Sequence, residues 1–129
     1  MSSLLYEIDI PEAASDENVA SQLPAPVGYS MLIALPKLKK ETDAGIILTD
    51  ERANAESVAS IVGYVMKQGP DCYSDKKRFP SEPWCKEGDW ILMRSYAGTR
   101  FTLHGEEFRL INDDSIEAVV EDPRGIARV

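Results

Sequence analysis

Hydrophobic and polar positions alternate with period two through much of the chain. "GYSMLIALP" (28–36) places Tyr29, Met31, Ile33 and Leu35 on one face of a strand that Pro36 ends. "VASIVGYVM" (58–66) is β-branched and apolar enough for a strand buried on both faces, with Gly63 suggesting a bulge. "DWILMRS" follows the turn "KEGD", and "RFTLHG", "EEFRLIN" and "SIEAVVE" add three more short runs. Gly98, Gly105 and the Asn112-Asp113-Asp114 turn join these runs. Long helical periodicity is missing, so the pattern predicts an all-β fold, a small irregular antiparallel barrel or a sandwich.

Two connections do not fit the sheet. Gly69 to Cys85, "GPDCYSDKKRFPSEPWC", carries Pro70, Pro80 and Pro83, which exclude a central strand. Leu38 to Ser57, "LKKETDAGIILTDERANAES", sets Ile46, Ile47 and Leu48 between charged and small residues. Such a cluster needs a partner, inside the chain or outside it. One reading is a short edge strand followed by a helical turn; the other is an anchor kept exposed for a second protein. The first 23 residues are acidic and Ser/Ala-rich, a flexible extension whose Leu4 to Ile10 has the pattern of a docking strand. Pro24 and Pro26 mark the start of the domain, which runs over 24–121, and residues 122–129 read as a tail.

Composition trims the functional choices. With 129 residues and 43% apolar content the chain supports one compact domain. Acids outnumber bases by 22 to 14, and the net charge of −8 argues against nucleic-acid binding. Lys76, Lys77 and Arg78 form the single basic run, read as a solvated loop. The opening segment has neither a basic n-region nor a long apolar stretch, and no window reaches membrane-span length, so a cytoplasmic protein is expected. Cys72 and Cys85, the two cysteines, are expected as free thiols. With His104, the one histidine, they fit no usual zinc spacing. Asp113-Asp114 reads as a turn rather than a cation site, and Trp84 and Trp90 as packing residues. No nucleotide-binding glycine motif is present. These residues assemble no catalytic centre, and neither an enzyme, a metal site nor a cofactor is expected.

The exposed-triplet segment between two barrel strands resembles the mobile loop of the GroES-type ten-kilodalton co-chaperonins. "TDAGIILTDERANAES" matches at Gly45, Ile46, Ile47, Leu48 and Thr49, which the resemblance makes the chaperonin-binding residues. "VASIVGYVMKQG" resembles the strand that leaves this loop. "KEGDWILMRSYAGTRFTLHGEEFRLINDDSIEAVVE" is similar to the family's Gly-Asp strand, its Tyr/Gly turn, its Glu-Glu-aromatic strand and its last strand. The likeness covers about Pro26 to Glu121. It implies a GroES-like β-barrel that assembles into a ring, a heptamer, through its termini or adjoining strands. That ring would cap a GroEL-type chaperonin around a substrate protein, ATP being bound by the chaperonin. It also implies a roof position for 69–85, a segment then expected to be replaceable between Asp71 and Pro83 by a short turn.

There are departures. The family's Asp-Arg pair near the start of its barrel is absent from Pro26-Val27-Gly28-Tyr29-Ser30, and the roof sequence does not match. The added length resembles co-chaperonins encoded by bacteriophages, whose site of action is the host cytoplasm. Alternatives from other classes are a GroES-like barrel serving as a structural or virion assembly component, and the zinc-bearing GroES-like domain of medium-chain dehydrogenases, whose ligands are lacking here.

Overall fold

The computed structural model describes residues 6–7, 21–38 and 60–126, with backbone alone at 6–7 and 37–38. Eight strands follow in order: β1 Tyr6–Glu7, β2 Ser30–Ala34, β3 Lys37–Leu38, β4 Val62–Gln68, β5 Trp90–Met93, β6 Thr99–Leu103, β7 Glu106–Asn112 and β8 Ile116–Val120. Six form one antiparallel sheet in the order β6-β7-β2-β4-β5-β8, and β1 pairs with β3 in a separate ribbon. All six strands predicted from alternation are therefore present. A 3₁₀ turn, Asp113–Ser115, joins β7 to β8.

The sheet curls around its larger core. Met31 and Ile33 of β2, Val65 of β4, Ile91 and Met93 of β5, Ile111 of β7 and Ile116 of β8 share one buried cluster. Arg109 of β7 reaches the backbone just after β5, three strands away in sheet order, which a flat sheet would not permit. This is a small antiparallel β-barrel, one of the two all-β folds expected from the pattern and the one the resemblance implied.

β2 departs from the predicted one-faced strand. Met31, Ile33 and Leu35 do face the main core, but Tyr29 is half exposed and Leu32 and Ala34 are buried on the other side. A second cluster covers that side, with Leu23 and Phe108 buried and Phe101, Leu103, Leu110, Tyr64 and Met66 packed around them. As a central strand between β4 and β7, β2 has neighbours whose side chains close over both of its faces. Leu23, placed in the flexible extension by the sequence reading, thus belongs to a core.

The predicted bulge at Gly63 is also displaced. Gly63 pairs in register with Ile91, whereas the register shift lies between Leu32 and Ile33, opposite Met66. Gly63 is small for another reason: a Cβ there would lie 2.2 Å from Ile33 Cγ2.

The segment 69–85 contains no strand, as its prolines predicted, and part of it is buried in the barrel. Tyr73, Phe79 and Cys85 are buried in the main core. Tyr73 and Phe79 meet edge to face at 4.9 Å, and Trp84 packs on Phe79 at 4.8 Å. This burial argues against the expectation that Asp71 to Pro83 is replaceable by a turn, since a turn cannot supply these aromatic rings.

Candidate functional site

The five residues expected to bind a chaperonin, Gly45, Ile46, Ile47, Leu48 and Thr49, lie outside the described residues, as does all of 39–59. The structure does describe the two roots of that connection. Before it, just past the end of β2, Leu35 is buried and its N–H donates to Glu107 O at 3.2 Å, and Pro36 follows. The backbone then enters β3, where Lys37 pairs with Glu7 and Leu38 with Tyr6. The extension thus adds a strand at the first root. Gln22, just upstream of the domain, meets His104 Nε2 at 2.6 Å.

At the second root, Ile61 O accepts a 2.8 Å hydrogen bond from Met93 N–H. Ser60 O accepts one at 3.2 Å from Nη1 of Arg109. The same nitrogen donates to Arg94 O at 3.3 Å and to Ser95 O at 3.2 Å. Nη1 carries two hydrogens, so at least one is shared between carbonyls. Arg109 is fully buried, and its Nε and Nη2 make no hydrogen bond among the described residues. Burial, and then the like charge of Arg100, pull the guanidinium below its ordinary pKa, with Glu107 opposing them.

Sequence reasoning missed Arg109. Its signal was the alternation in "EEFRLIN", which puts Arg109 on the same face as buried Ile111. Because Phe108 and Leu110 make the other face apolar too, alternation alone did not say which face was inside.

Beyond β4, the 69–85 segment is sewn to the opposite end of β2. Gly69 N–H donates to Ser30 O at 2.8 Å and Asp71 N–H to Gly28 O at 3.0 Å. Buried Asp113 accepts the Tyr73 N–H at Oδ2, 3.1 Å away, and its carbonyl accepts the Tyr73 hydroxyl at 2.9 Å. That spends the single phenolic proton, so the Cys85 thiol, 3.4 Å away, is the donor to the Tyr73 oxygen. Asp113 therefore holds a turn together, as read from the sequence, and reaches further than the turn itself. Of the basic run, Arg78 pairs with Asp114 at 2.6 Å and lies 5.2 Å above the Phe79 ring.

Both thiols are free. Cys72 Sγ donates to Ser30 O at 3.3 Å, and desolvation pushes its pKa up to about 11. Burial likewise raises Cys85 and Tyr73 above their ordinary values. These are inert core groups rather than nucleophiles. Among the described residues no group of three or more His, Cys, Asp or Glu side chains is arranged to hold a metal ion. No described helix is long and apolar enough to cross a membrane.

Comparison with known proteins adds to this geometry. The family described as the chaperonin 10 Kd subunit matches residues 25–120, a span that includes both roots and the whole 39–59 connection. A "Co-chaperonin GroES" from Caldicellulosiruptor saccharolyticus is 30% identical over 97 residues, 75% of this chain and 96% of the relative. Proteins of the same description from Clostridium beijerinckii and Clostridium perfringens strain 13 are 32% and 33% identical over 96 residues, 74% of this chain and 96% of each relative.

Proposed function

Since the chain belongs to the chaperonin 10 Kd subunit family, we propose that it is a co-chaperonin whose ring caps a GroEL-type chaperonin and encloses a substrate protein. The observation that carries this reading is the match across 25–120, which takes in the connection bearing Gly45, Ile46, Ile47, Leu48 and Thr49. Those residues are the chaperonin-binding anchor. The ring is a heptamer acting in the cytoplasm, and the chain is not an enzyme: it binds no cofactor, since ATP is held and hydrolysed by the partner.

Energetics favour an anchor that releases. Burying Ile46, Ile47 and Leu48 contributes about 5 to 9 kcal/mol at 1.5 to 3 for each side chain. Ordering about six backbone residues costs on the order of 1 to 2 kcal/mol apiece. One connection then binds weakly, and several presented together by a ring bind well because the later contacts are effectively intramolecular.

Replacing Ile46, Ile47 and Leu48 together with Ser tests the proposal. Wild type mixed with a GroEL-type chaperonin and adenine nucleotide should give a lid complex by native mass measurement. The variant should keep its ring and its thermal midpoint yet give none. A variant that loses several degrees of thermal stability would place the triplet in the barrel core. A wild-type ring that never caps the chaperonin would leave the structural-component role.

A further inference from the structure

A buried cation normally stands beside a carboxylate, because an unpaired charge in a core is costly. Arg109 is fully buried, and its hydrogen-bond partners among the described residues are three backbone carbonyls. One belongs to Ser60, the first described residue after 39–59, and two to Arg94 and Ser95 in the β5–β6 crossover. All three converge on Nη1, and among the described residues Nε and Nη2 have no partner. Such a residue does little for global stability, since an apolar side chain of similar volume would fill the core without the desolvation cost. Its chemistry suits a different task, tying two irregular backbone segments to one point.

We propose that Arg109 is a positioning residue for chaperonin docking, holding Ser60 against the β5–β6 crossover so that the preceding connection starts from a fixed root. This rests on the co-chaperonin reading above. Loosening Ser60, while Ile61 stays bonded to Met93, leaves its backbone to be fixed at each docking event. That loss recurs in every subunit of the ring.

Arg109→Met and Arg109→Lys, made in the full chain, provide the test. Methionine fills the volume without donors, and lysine offers three N–H groups to the same three carbonyls. For the methionine variant, hydrogen exchange in the peptide covering Ser60 to Val62 should accelerate about tenfold or more. Its thermal midpoint should stay within a few degrees of wild type, and chaperonin binding should weaken by at least about tenfold. The lysine variant should recover most of both losses. Unchanged exchange at 60–62 in a folded methionine variant overturns the proposal, and so does an unfolded methionine variant, or binding that falls only in step with stability in both variants. If wild type itself fails to bind a chaperonin, the co-chaperonin reading fails, and the exchange measurement still decides whether Arg109 holds Ser60.

Discussion

At the scale of single residues, close approach and burial set the sharpest expectations. An added Cβ at Gly63 would meet Ile33 Cγ2 at 2.2 Å and Met93 Cε at 3.3 Å, both in the packed core. Gly63→Ala should therefore destabilise the barrel by about 1 to 3 kcal/mol, against the gain that alanine usually brings to a strand, and a urea titration will read it. The glycine was visible in the sequence, but its reason was not, because the Ile33 side chain that excludes a Cβ comes from another strand. The thiols make a second prediction. The fold holds Cys72 protonated up to about pH 11, above the ordinary 9.0. Since folding raises this pKa, its contribution to stability is complete below about pH 9 and is lost as pH rises toward 11; Cys85 and Tyr73, also raised, act in the same direction. Urea midpoints should fall from pH 8 to pH 11, and Cys72 should resist alkylation in the native protein at pH 8. Rapid alkylation there would show that the loop around it opens readily.

At the scale of elements, the six sheet strands were legible because each is a short alternating or β-branched apolar run, bounded by Gly, Pro or Asx turns. The 69–85 segment was legible only in part. Its prolines correctly excluded a strand, but three large aromatics within a polar, proline-rich stretch were the sign of a loop with its own packing. Tyr73 and Phe79 are 3% and 1% exposed, so this element works as a plug of the barrel. Phe79→Ala should cost about 3 to 5 kcal/mol, a large share of the roughly 5 to 15 that holds a domain together. Deleting Asp71 to Pro83 should leave the chain without a cooperative thermal transition. A deletion variant that still melts cooperatively would show that the barrel closes without these rings. Residues 45–49, the proposed anchor, lie outside the described residues; they stood out by their incongruity, an apolar triplet in a polar stretch, and by family resemblance. Arg109 escaped because only the barrel's curl places its side chain beside Ser60.

For the whole molecule, charge and sheet edges pull in opposite directions. Seven copies at −8 each would carry −56 formal charges in one ring, and repulsion of that size opposes assembly. The sheet offers the counterforce: β6 and β8 are its two edges, each paired on one side among the described residues, and Val119 of β8 is 48% exposed. A strand edge of this kind presents unsatisfied N–H and C=O groups to any neighbouring strand. Backbone pairing and apolar burial act at contact and are little weakened by salt, whereas repulsion between exposed carboxylates is screened over about 10 Å at 0.1 M. Assembly should therefore strengthen from about 10 mM to about 150 mM salt, the reverse of what a ring held by ion pairs would do. Native mass or sedimentation at the two ionic strengths will distinguish them. A ring that dissociates on adding salt would place ion pairs at the interface, and a monomer under both conditions would remove the ring from the functional proposal.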